Sequence, residues 1–310
     1  MTKKIDFSQP LIVLAPLAGY TDLPFRSVVK KFGADVTISE MISSNALVYK
    51  SEKTRKMIEK SPQEDPYIVQ IAGNKPELVR DAVEILNDIE GIDGIDLNCG
   101  CPAPKVFNHG SGSNLLGDLK KLEEILGTVK KYSKKQYTSA KVRLGVDTKI
   151  PVEIGKAVEA CGVDFVSVHG RTRAGKYKAP VDYDAIKAMK EAVSIPVIAN
   201  GDIKDYTKAQ EVLKYTNADG VMIGRGAIGK PWVFYQLKHG IEDISADKKR
   251  EIILEHFDAV IDFHGIHGAV MFRKLLHSYS KGYQGAAEFR DIINRINDEK
   301  VMRDMIENFF

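Results

Sequence analysis

The sequence predicts an α/β chain built as a (β/α)8 barrel over residues 1–240, followed by a small C-terminal all-helical domain over residues 246–310. Three observations predict it. Eight short runs rich in β-branched residues recur up to residue 224. Amphipathic stretches at helical spacing, such as ELVRDAVEILNDI and DYTKAQEVLKYT, lie between them. From Ala246 onward no such run occurs. Strands alternating with helices imply parallel pairing through crossovers. Eight units over roughly 240 residues match a TIM barrel, and the full length suits about two domains.

In order, the strand runs are LIVLAP (11–16), VTIS (36–39), YIVQIA (67–72), GIDLN (94–98), TSAKVR (138–143), FVSVH (165–169), PVIAN (196–200) and GVMIG (220–224). A doubly wound sheet is the competing architecture. It expects a phosphate-binding glycine loop after the first strand, and Ala15-Pro16-Leu17-Ala18-Gly19 is not one. The tail reads as helices: KREIILEHFDAVIDF, then AVMFRKLLHSYSKG, then AEFRDIINRINDEKVMRDMIENFF. Gly265, Gly268, Gly282 and Gly285 read as helix stops.

Composition narrows the function classes. The chain is 44% hydrophobic and 28% charged, a soluble globular balance rather than a disordered one. Lys+Arg 45 against Asp+Glu 42 leaves +3, which excludes a polybasic protein and by itself suggests a small-molecule enzyme. Three cysteines exclude a disulfide framework and fit a reducing compartment. No apolar run approaches the roughly 18–20 residues that span a bilayer. The apolar stretch in MTKKIDFSQPLIVLAP is too short for a signal peptide. A cytoplasmic location is therefore expected.

Barrel active sites form at the C-terminal ends of strands, so the strand endings carry the functional signal. The third run ends in Gln70, the fourth in Asp96-Leu97-Asn98-Cys99-Gly100-Cys101-Pro102, and the fifth carries Lys141-Val142-Arg143. The sixth ends in His169-Gly170-Arg171, the seventh in Asn200-Gly201-Asp202 and the eighth in Gly224-Arg225-Gly226. Side chains alternate faces along a strand. Lys141 and Arg143 thus share a face, as do Asp96 and Asn98, and both pairs point into the barrel mouth. One such residue would be a satisfied rim group. Several strands agreeing is hard to assign to packing, because buried polar groups cost free energy unless paired.

The loops after the last two strands, NGDI and GRGAIGKPW, suit a phosphate, since glycine lets backbone N–H groups approach it closely. Residues 224–229 also match G-x-G-x-x-G. The dinucleotide fold needs a βαβ continuation and an acid about 20 residues on; here helices follow. A ligand whose phosphate sits there while it meets Lys141, His169 and Gln70 across the barrel fits flavin mononucleotide, with a cation near the ring's N1 side to stabilise the reduced anion. A sugar-phosphate enzyme stands beside it as an equal alternative.

Cys99 and Cys101 form C-x-C. A zinc site needs about four ligands, and Cys161, inside a helical pattern, reads as a core residue, so no metal is expected. The C-x-x-C redox signature is absent. A single catalytic thiol remains, in a loop stiffened by Pro102 and freed at Gly100. A thiol with a pKa near 8.5 can protonate a carbanion.

The motifs APLAGYTDLPFR (15–26), DLNCGCPAPKV (96–106), GSGSNLLGD (110–118), KVRLG (141–145), HGRTR (169–173), NGD (200–202) and GRGAIGKPW (224–232) occur in this order. Together they resemble the tRNA-dihydrouridine synthase family, closest to its bacterial B-type branch. The resemblance covers the barrel and continues into the tail, where MFRKLLHSYSKG is similar to the family's basic helix. The N-x-G-C-P-x-x-K-V stretch is its most specific part. The resemblance implies reduction of the uracil C5–C6 double bond in tRNA, in the D-loop. NADPH would reduce FMN, the flavin N5 would deliver hydride to C6, and a cysteine would protonate C5. It assigns the general acid to Cys101 and gives Cys99 no role. It assigns FMN contacts to Pro16, Leu17, Ala18, Gln70, Lys141, His169, Asn200, Gly201, Asp202, Gly224 and Arg225. It assigns the uracil to Asn98 and Arg143, whose donors and acceptor suit a uracil edge. The base must then be flipped out of the RNA. An FMN barrel acting on a free pyrimidine or another small enone is the alternative.

The tail carries ten Lys+Arg and eleven Asp+Glu, a net −1, yet no acid lies between Asp262 and Glu288. Arg273, Lys274, His277 and Lys281 all fall there, and Arg273, His277 and Lys281 follow i, i+4, i+8 spacing. A solvated face is the usual explanation of such a run. Beside a synthase barrel, a tRNA-backbone contact is expected, with Tyr279 and Tyr283 available for stacking. Lys105, Arg171 and Arg173 are further candidates near the pocket, or pair with local acids. A monomer is the simplest expectation.

Overall fold

The β-branched runs become strands in the computed structural model, which describes residues 4–310. They are β1 (Leu11–Leu14), β2 (Val36–Ile38), β3 (Ile42–Ser43), β4 (Tyr67–Ala72), β5 (Gly94–Cys99), β6 (Tyr137–Arg143), β7 (Phe165–His169), β8 (Val197–Asn200) and β9 (Gly220–Ile223). All pairings are parallel, and the order β2-β1-β9-β8-β7-β6-β5-β4 closes through β2–β4 into an eight-stranded barrel with helices between the strands. The short β3 is additional to the sequence expectation. It takes over pairing with β4 where β2 has ended, Ile42 opposite Ile71. At the handover the Gln70 N–H donates to the Ser39 hydroxyl at 3.0 Å instead of to a backbone carbonyl.

The period of two sorts the barrel interior into an apolar lower half and a polar upper half. Leu11, Val13, Ile38, Ile68, Phe165, Ile198 and Met222 fill the lower half, and Ile5 and Phe7 close it from below. Two residues further along, Ile68 gives way to Gln70, Phe165 to Ser167 and then His169, and Ile198 to Asn200, all buried. The opposite strand faces pack against the crossover helices. Four of these helices begin at aspartates, Asp22, Asp118, Asp182 and Asp205, each accepting the N–H three residues on, a cap worth about 1 kcal/mol.

The tail forms helices Ala246–His264, Gly268–Tyr279, Ala286–Ile293 and Glu299–Phe309. Several details differ from expectation: Gly285, read as a stop, sits at the N-cap of the helix that opens at Ala286, at φ +76°. Gly268 opens a helix rather than stopping one, at φ −58°. The last stretch divides in two because Asp298 caps a new helix, accepting from Val301 N. The tail's core is aromatic: Phe257, Phe272, Tyr279, Phe289 and Phe310 pack with Met302 and Ile306, and with Val28, Phe32 and Trp232 from the barrel. Tyr279, expected on the surface for stacking, lies in this core. Its hydroxyl is 2.7 Å from His256 Nδ1, and burial pushes the His256 pKa down to about 3. Tyr283 is half-buried against Phe309 and Phe310. No helix among the described residues is long and apolar enough to cross a membrane.

Candidate active site

The cleft at the barrel mouth has a volume of about 600 Å³, within the usual range for small-molecule sites of roughly 300–1,000 Å³. Cys101 and all eleven residues expected around the cofactor line it, as do Asn98 and Arg143. Barrel closure brings these strand ends together from positions far apart in the chain.

The floor is one hydrogen-bonded network. Gln70 Nε2 donates to Asp96 Oδ2 at 2.7 Å, Ser139 Oγ donates to Asp96 Oδ1 at 2.6 Å, and Asn98 Nδ2 donates to Gln70 Oε1 at 2.7 Å. Burial pushes the Asp96 carboxyl up to about 6, against the opposing effect of these bonds. Lys141 is held by Asn200 Oδ1, 3.1 Å from its Nζ. Asn200 is itself fixed by donating to Met222 O at 2.7 Å. Burial, aided by Arg143, lowers Lys141 to about 8. Burial and the neighbouring cations Lys141, Arg143, Arg171 and Arg225 push His169 down to about 2. It is therefore a neutral imidazole. Its Nε2 lies 3.3 Å from Arg171 Nη1; arginine can only donate, so Nε2 accepts and Nδ1 carries the proton.

The cysteine loop is fixed at both ends. Asn98 Oδ1 accepts from Gly100 N at 3.2 Å and from Cys101 N at 2.9 Å. Cys101 O accepts from Ser113 N at 3.1 Å and from Ser113 Oγ at 2.8 Å. Gly112 has φ +62°, and a Cβ there would sit 3.0 Å from Cys101 O. Arg143 donates from Nε to Gly100 O at 2.7 Å and from Nη1 to Thr172 O and Lys176 O, each at 3.0 Å. Asn98 Oδ1 and Arg143 Nε thus hold the cysteine loop, while Arg143 Nη1 ties it to the segment after β7. Cys101 is half-buried and faces the cleft. Cys99 is fully buried, and burial pushes its thiol well above the usual range. Cys161 is only half-buried, lies outside the cleft and is pushed up to about 11 by burial.

At the rim, Arg171 donates to both carboxylate oxygens of Asp202, and Arg225 Nη2 donates to Asp202 Oδ1 at 3.1 Å. These arginines hold the Asp202 carboxyl below its ordinary range, Arg171 first. Arg171 is buried and committed, so it pairs locally rather than facing a partner. Arg173 stacks 3.9 Å from the Phe107 ring centroid, while Lys105 stays exposed. Sequence reasoning missed three lining residues, Met41, Tyr177 and Lys204. Lys204 follows the NGDI loop directly and was within reach of that signal. Tyr177, whose ring lies 4.3 Å from the Arg225 guanidinium and 5.4 Å from that of Arg143, and Met41 carry no motif. Among the described residues no group of three His, Cys, Asp or Glu side chains could hold a metal ion.

The tail cations do not form the single bare face that their spacing predicts. Arg273 Nη2 donates to Ile296 O and Asn297 Oδ1, each at 2.6 Å. His277 Nε2 lies 3.0 Å from Asn294 Oδ1. Both therefore clamp the linker between the last two helices. Lys281 lies beyond the helix end at Tyr279 and is exposed. Lys274 turns towards the barrel, donating to Gly19 O at 3.0 Å.

Comparison with known proteins is consistent with this arrangement. A family model described as dihydrouridine synthase matches residues 13–310. The chain is 54% identical over 308 residues to the Helicobacter pylori protein named "Probable tRNA-dihydrouridine synthase", covering 99% of this chain and 94% of that one. It is 40% identical to the Vibrio parahaemolyticus protein named tRNA-dihydrouridine synthase B, covering 96% and 95%. Among solved structures, the old yellow enzyme homologue from Zymomonas mobilis matches with a TM-score of 0.54 and 12% identity, covering 75% of this chain and 90% of that one. Histamine dehydrogenase from Rhizobium matches with a TM-score of 0.56 and 14% identity, covering 80% and 48%. At those identities the two structures share the fold alone.

Proposed function

We propose that this chain, which belongs to the dihydrouridine synthase family, reduces the C5–C6 double bond of uridines in the D-loop of tRNA to 5,6-dihydrouridine. The Cys101 loop supports this most directly: a thiol at the mouth of a one-ended cleft, held at its N–H by Asn98 and at its carbonyl by Ser113. Cys101 is the proposed general acid, its thiol proton going to uracil C5. Proton transfer from a positioned group contributes about 10²–10⁴ in rate.

FMN is the proposed cofactor and NADPH the proposed reductant. The residues fit that group. Lys141 offers an ammonium with one hydrogen-bond partner among the described residues, Asn200. Arg225 and Lys204 stand beside the glycine loops at 201, 224 and 226 as counter-charges for a phosphate. When bound, FMN supplies the hydride that uracil C6 receives. Gln70, locked between Asp96 and Asn98, presents a fixed amide at the floor. Neutral His169 is placed to donate without adding charge. Pro16, Leu17 and Ala18 form the opposite wall, and Arg143 orders the cysteine loop above it.

We read residues 1–240 as the catalytic domain and 246–310 as the domain that meets the RNA. Arg273 and His277 are occupied by the tail's own linker, so the proposed RNA contact passes to Lys281 and the exposed surface around it. The test is incubation of purified protein with NADPH and either tRNA lacking the modification or free uracil. Flavin absorption and dihydrouridine in the tRNA, read by mass spectrometry, are expected. Turnover of the free base alone would overturn the reading.

A further inference from the structure

We infer that Lys274, from the tail, is a positioning residue for the β1 wall of the cleft. The inference rests on the flavin reading above. The wall is the segment after β1, where Pro16, Leu17 and Ala18 line the cleft. The chain then folds into a tight turn. Thr21 Oγ1 accepts from Leu17 N at 2.8 Å, and Tyr20 N and Thr21 N both donate to Leu17 O, at 3.0 and 3.1 Å. Residues 17–21 therefore move as one unit, and a force on Gly19 or Tyr20 reaches Leu17 and Ala18.

Lys274 grips that unit twice. Its Nζ donates to Gly19 O at 3.0 Å and sits 3.5 Å from the centroid of the Tyr20 ring, well inside the roughly 6 Å at which a cation is attracted by an aromatic face. Two further groups secure the turn. The Gly19 N–H donates to Glu40 Oε1, from the segment that follows β2. Asp22, which ends the turn, lies 3.6 Å from His264 Nε2 of the tail. The tail thus holds the turn at Gly19 and Tyr20 through Lys274, and His264 packs beside its end at Asp22. The wall of the cleft is completed by a domain far away in sequence (Lys274 against Gly19 spans 255 residues).

A lysine that merely waits for an RNA phosphate would not matter to the cleft in the absence of RNA. Lys274 as a positioning residue does. FMN titration of the full chain without tRNA, followed by flavin fluorescence quenching, separates the two. Lys274→Met should raise the FMN dissociation constant about fivefold, the scale of a lost cation–π contact with its hydrogen bond. Lys274→Arg, which keeps the cation over the ring, should restore most of it. Tyr20→Leu should have a similar effect, and the double variant Tyr20→Leu with Lys274→Met should be no worse than either alone. An unchanged dissociation constant in Lys274→Met, with weaker tRNA binding, would overturn the inference and make Lys274 an RNA contact. A wild-type chain that takes up no FMN would instead remove the flavin reading on which the inference rests.

Discussion

The upper barrel and the helical tail both collect polar residues at regular spacing, yet only one of them points those residues into a common cleft. In the barrel, a period of two on strands that close into a ring leaves one destination: Gln70, Asn98, Lys141, His169 and Asn200 all meet in the same cleft. In the tail, a period near four on a helix gives a common face but no common target. Arg273 and His277 turn to the 294–297 linker, Lys274 to the β1 turn, and Lys281 falls beyond the helix end. Closure of a sheet converts sequence spacing into convergence. A helix surface does not.

Three measurements bear on that contrast, in order of expected size. Cys101→Ala should cut dihydrouridine formation on unmodified tRNA by about 10²–10⁴ while leaving flavin absorption and the melting temperature in place. Full turnover would remove Cys101 from the chemistry and weaken the claim that barrel spacing reports function. The second concerns pH. Lys141 is lowered to about 8, so its cation is present below that value and lost as pH rises through it. Affinity for the reduced, anionic flavin should fall above pH 8, by up to about tenfold per pH unit, and Lys141→Met should flatten the curve. A wild-type titration that stays level across this range would show that Lys141 does not act as the counter-charge. The smallest effect is Arg273→Ala, which removes three hydrogen bonds to the linker and should cost about 1 kcal/mol in urea unfolding. If stability is unchanged and only tRNA binding weakens, the tail would resemble the barrel after all.

Strand identity, barrel closure and the inward face were legible because alternation and β-branched runs are local signals that the ring reinforces. GIDLNC shows this: Asp96 and Asn98 were expected on one face, and they lie within one network with Gln70. Partners were less legible. Nothing in the sequence ties Arg171 to Asp202, 31 residues on, rather than to a phosphate. Tyr279 carries the same signature as a surface tyrosine, and only the packing of Phe257, Phe272 and Phe310 around it draws it inside. Met41 and Tyr177 reach the cleft from loops whose paths depend on tertiary contacts.

One stave of the barrel is cut. β2 stops at Ile38 and β3 resumes at Ile42, so β4 is held along that side in two short lengths joined through a serine hydroxyl. In mechanical terms the ring has a hinge pin where its other seams are continuous ladders, and segments with fewer ladder bonds open at lower free energy. That pin carries Glu40, which holds the Gly19 turn, and Met41, which lines the cleft. The thinnest seam of the ring thereby meets both the entrance, through Glu40 and Met41, and the floor, through Gln70.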